Sequence, residues 1–129
     1  METNATKRHI LIVDDNLELA DTIKHLLEVH GFNVTVVSNG VLALKYILHK
    51  QVDAVVCDLK MPQLEGDKLF STVERLNPTL AGRFVFITGV ADDPHFEEFV
   101  ATVKAPLLRK PVAIEKLLVA LIGILAGQS

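Results

Sequence analysis

The sequence predicts an α/β protein, a (βα)5 doubly wound sheet of five parallel strands, and three observations predict it. Five short apolar runs rich in Val, Ile, Leu and Phe recur along the chain, longer segments of helical periodicity separate them, and turn-forming residues fall at the junctions. Strands and helices in alternation require a parallel sheet with helices on both faces.

The first run, "HILIV", leads into Asp14-Asp15. The helix after it has Leu19, Ala20, Ile23, Leu26 and Leu27 at i, i+3, i+4 spacing and should end at Gly31. Asp15 fits either a helix cap or a functional carboxylate. The second run, "FNVTVV", ends in Ser38-Asn39, with Asn39 placed to cap a helix whose stripe is Val41, Leu44, Ile47 and Leu48. The third, "DAVVC", ends in Asp58. Met61-Pro62 then restrains the chain, Gly66 is expected to take a positive φ, and Asp67 to cap a helix with Leu69, Phe70, Val73 and Leu76 on its buried stripe. Asn77-Pro78 should close that helix. The fourth run, "RFVFI", ends at Thr88, and Asp93-Pro94 reads as N-cap and first residue of a helix carrying Phe96, Phe99, Val100 and Val103. The fifth, "PLLR", ends at Lys110, and the last stripe is Ile114, Leu117, Leu118, Leu121, Ile122 and Leu125.

The length of 129 residues suits one domain, residues 1–129 with a core from about 8 to 126, and no output domain is expected in this chain. Hydrophobic residues make up 50% and charged residues 22%, so no disulfide or structural metal is needed for a core. Thirteen basic against sixteen acidic residues give a net charge of −3, with no basic stripe, which argues against direct nucleic-acid binding. The single cysteine, Cys57, cannot make an internal disulfide and suits a reducing compartment, with the cytoplasm as the expectation. A small apolar residue ending a buried strand explains it better than a redox sensor does. The N-terminal "METNATKRH" has no signal-peptide core, and "LLVALIGILAG" is about half the ~20 residues a membrane span needs, so no membrane partner is expected. None of the five histidines shows metal-ligand spacing.

In an open parallel sheet, ligands bind outside the carboxyl ends of the strands, where the strand order reverses. The strands here end in Asp14-Asp15, Asp58, Thr88 and Lys110, which brings three carboxylates, a hydroxyl and an ammonium to one edge. Each alone has a mundane explanation; together they form a constellation. Neighbouring carboxylates repel by about 1 to 4 kcal/mol per pair at 4 Å in a partly solvated setting, so a cation belongs among them. Oxygen-only ligands near the surface suit Mg2+. A hard cation, a lysine and a hydroxyl donor together suit a phosphoryl group.

These residues resemble the receiver domain of two-component response regulators. "LIVDDN" is similar to the family's acidic pair, "DLKMPQLEG" to its acceptor loop, "FITG" to its switch-threonine segment and "RKP" to its lysine and proline. The resemblance covers nearly the whole chain. It implies a flavodoxin-like fold with strand order 2-1-3-4-5. Asp58 would take a phosphoryl group from a phosphohistidine on a sensor histidine kinase or histidine phosphotransfer protein. Mg2+ would be held by Asp15, Asp58 and the backbone carbonyl of Lys60, with Asp14 acting through water. Lys110 and Thr88 would each bind a phosphoryl oxygen, and the change would spread through the fourth helix, fifth strand and fifth helix. The resemblance implies a phosphate acceptor that at most releases its own phosphate, rather than an enzyme.

The chain departs from the family at Leu107, where a Tyr or Phe is common, at Val103-Lys104 in place of a small pair, and at Val112 after Lys-Pro. Lys60 and Val90, two residues past Asp58 and Thr88, occupy positions that bear on phosphate lifetime in the family. "LNPTLAGRFVFITG" and "APLLRKPV" look more like receivers fused to hybrid sensor kinases than like those joined to DNA-binding domains. Two rivals remain. A phosphatase of the haloacid dehalogenase type would want an acid where Lys60 stands, and a receiver-like module that is never phosphorylated would have lost an acid or the lysine. On the last helix, Val119 and Ala120 lie away from the core stripe with only Glu115 and Lys116 as charges, so a homodimer contact is expected on the face of the fourth helix, fifth strand and fifth helix.

Overall fold

The computed structural model describes residues 7–89 and 93–126. The apolar runs become β1 (His9–Val13), β2 (Asn33–Val37), β3 (Ala54–Asp58), β4 (Phe84–Thr88) and β5 (Leu107–Arg109). All pair in parallel in the order β2-β1-β3-β4-β5, as expected. In β3 and β4 every residue is buried, and β1 is buried from Ile10 onward, as the near-continuous apolar runs of strands covered on both faces require. At the sheet edge β5 is only three residues long and none of them is fully buried.

The helices are α1 (Leu17–Val29), α2 (Gly40–His49), α3 (Gly66–Leu76), α4 (Pro78–Ala81), α5 (Pro94–Thr102) and α6 (Ile114–Ala126). Ala43 of α2, Leu69 and Val73 of α3 and Phe96 of α5 share one core with Leu11, Val13, Val55, Cys57, Phe84 and Phe86. On the opposite face, α1 and α6 bury Ala20, Ile23, Leu27, Leu117, Leu121 and Leu125 against Ile10, Ile12, Val56, Val85 and Ile87. Edge-to-face ring pairs, Phe70 on Phe84 at 5.3 Å and Phe86 on Phe99 at 5.2 Å, knit α3 and α5 to the sheet.

Helix α4 is absent from the sequence reading. Asn77-Pro78 does close α3, but the Asn77 side chain also accepts a hydrogen bond from Leu80 N at 3.1 Å and starts a new turn that buries Leu80 and Ala81. The expected caps at Asn39 and Asp93 form, accepting from Leu42 N at 2.8 Å and His95 N at 2.9 Å, and Gly31 ends α1 at φ 94.

Other expectations fail for identifiable reasons. Asp67 is not a cap: α3 starts at Gly66, two residues earlier than a cap at Asp67 implies, and its N-cap Glu65 makes no side-chain capping bond. The positive φ values fall at Gln63 (51) and Leu64 (79), not at Gly66. Gly66 is required for space, since a Cβ there would lie 2.5 Å from the Asp58 carbonyl oxygen. Large residues misjudged some helix faces: Val41 and Leu48 are 39% and 56% exposed while Ala43 is buried, and Leu26, Leu76 and Ile122 are also exposed. Small residues let α2 approach the sheet, and small residues leave little trace in a hydrophobic pattern. Among the described residues, no helix is long and apolar enough to cross a membrane.

Candidate functional site

Parallel pairing alone brings the strand ends together. β3 sits between β1 and β4, so Asp58 lies beside the end of each, and Lys110 N donates to the Thr88 carbonyl at 2.9 Å, fixing the start of the lysine's stem. Asp14 is fully buried, Asp58 is 4% exposed, Thr88 is fully buried, and Asp15 is exposed at the rim. One carboxylate oxygen from each of Asp14, Asp15 and Asp58 lies within 4.8 Å of the others.

Lys110 Nζ donates to Asp58 Oδ2 at 3.0 Å and stands 3.3 Å from Asp14 Oδ2. The lysine therefore reaches from the end of β5 to both buried carboxylates. Asp14 Oδ1 accepts the backbone N–H of Asn16 at 2.9 Å, whereas its buried Oδ2 has the ion pair but accepts no hydrogen bond. Burial pushes the Asp58 carboxyl up to about 6; the Lys110 hydrogen bond opposes this and the Asp14 charge adds to it. For Lys110, burial pulls the ammonium down, but the hydrogen bond and charge of Asp58, with Asp14, leave it raised overall. One monovalent cation is thus shared by Asp58 and Asp14, with Asp15 beside them. The spare capacity of Asp14 Oδ2 and the all-oxygen donor set fit a hard divalent ion.

The loop after Asp58 is fixed locally. Leu59 and Met61 are buried and anchor its start, Leu59 N donates to the Ile87 carbonyl at 3.2 Å, and Gly66 N returns to the Leu59 carbonyl at 2.8 Å. Lys60, between the anchors, has an exposed side chain. Val90 lies outside the described residues. Leu107 is half-buried against the Phe86 core, filling with an aliphatic side chain the place where an aromatic is common.

Cys57 is fully buried, and burial first, then the Asp58 charge, push its thiol well up, which suits a packing residue. Three features escaped the sequence reading. Asn16 caps α1, accepting from Leu19 N at 3.1 Å, and thereby frees Asp15; the run Asp-Asp-Asn before a helix carries that signal. His95 Nε2 lies 2.9 Å from Glu65 Oε1, tying α5 to the start of α3, a contact across 30 residues with no sequence trace. Gly40 lies against Leu64 of the loop after Asp58, which again only the fold reveals.

Comparison with known proteins gives a consistent result. Residues 10–122 match the family model of the response regulator receiver domain. A response regulator receiver protein of Anaeromyxobacter sp. strain Fw109-5 is 33% identical over 111 residues, 86% of this chain and 46% of that protein. The sensor kinase CckA of Brucella abortus strain 2308 is 29% identical over 110 residues, 84% of this chain and 11% of that protein. The chain therefore spans less than half the length of either relative. The crystal structure of a CheY-like response regulator receiver domain protein from Methanospirillum hungatei JF-1 superposes with a TM-score of 0.86 at 26% identity, covering 95% of this chain and 97% of that one.

Proposed function

The chain belongs to the response regulator receiver domain family of two-component systems, and from that membership we propose that Asp58 is the carboxylate that takes a phosphoryl group from a phosphohistidine. One observation carries this reading: Lys110 Nζ stands 3.0 Å from Asp58 Oδ2 and 3.3 Å from Asp14 Oδ2, beside Asp15 and at the open edge of the sheet.

A carboxylate oxygen of Asp58 attacks phosphorus, the P–N bond to the donor imidazole breaks as the O–P bond forms, and the imidazole leaves with a proton from solvent. Asp58 titrates near 6, so it is mostly the required anion at neutral pH. Asp15, Asp58 and the Lys60 carbonyl are the candidates to hold Mg2+, with Asp14 acting through water. When bound, Mg2+ supplies the positive charge that offsets the carboxylates and the incoming phosphoryl oxygens. Lys110 pairs with one phosphoryl oxygen, and the Thr88 hydroxyl donates to another once the phosphoryl group has arrived. Movement of the β4–α5 connection toward the phosphoryl group then alters the face of α5, β5 and α6.

The donor is a sensor histidine kinase or a histidine phosphotransfer protein, working in the cytoplasm; the likeness to a sensor kinase over 84% of this chain supports this class of partner. Val119 and Ile122 of α6, 72% and 60% exposed, supply apolar surface on the outer side of α6 for a homodimer contact. The decisive experiment is incubation with Mg2+ and a small acyl phosphate, followed by intact-mass measurement. A gain of one phosphoryl group, lost with chelator and lost in Asp58→Asn, is expected. No gain in the parent, or an equal gain in Asp58→Asn, overturns the assignment.

A further inference from the structure

The Lys60–Glu65 segment carries the carbonyl assigned to the metal, yet it belongs to no strand or helix, and Gln63 and Leu64 take the left-handed φ values of 51 and 79. What holds it in place comes from outside. Val41 N, a first-turn amide of α2 that has no acceptor within its own helix, donates to the Gln63 carbonyl at 3.2 Å. Beside it Gly40 is buried, and a Cβ built there would lie 2.0 Å from the Leu64 carbonyl oxygen and 2.9 Å from the Leu64 Cβ. The first turn of α2 therefore meets the backbone of the acceptor loop with no room for any side chain between them.

We infer that Gly40 is a positioning residue for the proposed phosphoryl acceptance: by lacking a side chain, it lets the first turn of α2 brace the acceptor loop at Gln63 and Leu64, and so sets where the Lys60 carbonyl stands. The inference rests on the reading of that carbonyl as metal-holding. Any side chain at position 40 meets a backbone oxygen, which cannot swing aside as a flexible side chain would, so the loop must shift as a unit. The loop's other end is pinned, because Gly66 N is bonded to the Leu59 carbonyl at 2.8 Å and Leu59 and Met61 are buried. Displacement is thus concentrated between Pro62 and Glu65 and reaches the Lys60 carbonyl through the Met61-Pro62 link. The two structural glycines have complementary duties: Gly66 admits the chain beneath Asp58, and Gly40 admits α2 beside the loop.

The test is calorimetric titration with Mg2+ alone on the parent, Gly40→Ala, Val41→Pro and Lys45→Gly proteins, with acyl-phosphate labelling in parallel. Val41→Pro replaces the bracing N–H by a ring carbon facing the Gln63 carbonyl, breaking the brace without adding bulk at position 40, at a 39% exposed first-turn site where proline is tolerated. Lys45→Gly weakens α2 on its exposed side, away from the loop, and reports what a merely less stable helix does. Gly40→Ala and Val41→Pro should each weaken Mg2+ binding by about 10-fold or more, as loss of the groups that orient a metal ligand does, while Lys45→Gly lowers the melting temperature and leaves Mg2+ affinity unchanged. Mg2+ affinity within twofold of the parent in Val41→Pro and in folded Gly40→Ala overturns the inference, as does an equal loss in Lys45→Gly. If Gly40→Ala does not fold, Val41→Pro decides alone. A parent that binds Mg2+ but takes no phosphoryl group overturns the acceptor reading and leaves the Gly40 test intact; a parent that binds no Mg2+ overturns both.

Discussion

Lys110 Nζ donates to Asp58 Oδ2 at 3.0 Å across 52 positions of sequence, tying the end of the edge strand β5 to the end of the central strand β3. The same ammonium lies 3.3 Å from Asp14 Oδ2, so one side chain offsets two buried carboxylates from two further segments of the chain.

Truncating that side chain should cost both stability and chemistry. In Lys110→Ala, Asp58 and Asp14 lose their shared cation, and charge-assisted hydrogen bonds of this kind contribute about 1.5–3 kcal/mol. Urea unfolding without metal should show a loss near the lower end, since the lysine is partly solvated. Labelling by an acyl phosphate should slow by at least about tenfold.

Asp58 makes metal-free stability fall as pH rises. Its folded-state carboxyl is raised from 3.8 to about 6, so the native state binds its proton more tightly than the unfolded chain does. The favourable contribution is fully present below about 3.8 and is lost as pH rises through about 6, where a buried anion is forced into the fold. Asp58→Asn should therefore melt a few degrees higher than the parent at pH 8 in chelator, and the difference should shrink toward pH 5. A pH-independent difference in scanning calorimetry would contradict this account.

Gly66→Ala should destabilise the fold by about 1–3 kcal/mol through overpacking, because its Cβ would lie 2.5 Å from the Asp58 carbonyl oxygen and 3.0 Å from the Leu59 Cα. Chemical denaturation should show this loss with an unchanged m-value.

Thr88→Ala should separate acceptance from response. Asp58, Lys110 and the acids are untouched, so the phosphoryl group should still be taken up, while phosphorylation-dependent changes in hydrogen exchange across α5 and β5 should be much reduced. Thr88→Ser keeps the hydroxyl and should restore them.

The outer face of α6 should control self-association alone. Val119 and Ile122 are 72% and 60% exposed, so Val119→Asp with Ile122→Asp should leave the melting temperature almost unchanged. Sedimentation should then show a monomer where the phosphorylated parent dimerises. A parent that is monomeric at high concentration with and without phosphorylation removes the homodimer proposal.

Strand count and parallel direction were legible because β1, β3 and β4 are buried on both faces and so must read as continuous apolar runs, and because each strand runs straight into its polar terminus, whereas the strand order came only from the family resemblance. Asp14, Asp15, Asp58, Thr88 and Lys110 could be grouped before any coordinates, since parallel strands deliver all their carboxyl ends to one edge. The faces of the helices were less legible. At α2 the buried contact is made by Gly40 and Ala43, which carry little hydrophobic signal, while the larger Val41 and Leu48 face outward. Asn77 was read as a terminator because a cap and a stop use the same residue types, and only Leu80 and Ala81 turning into the core distinguish them.

The sequence by itself determined the sheet, its carboxyl-end edge and the residue types assembled there, because periodicity and strand termini are local properties of the chain. Tertiary structure alone decided which acids are buried, that Lys110 bridges Asp58 and Asp14, that Gly66 and Gly40 are needed for space, and that left-handed backbone falls at Gln63 and Leu64. Those are distances between segments far apart in sequence. They are set by the packing of helices onto a finished sheet, so no local pattern records them.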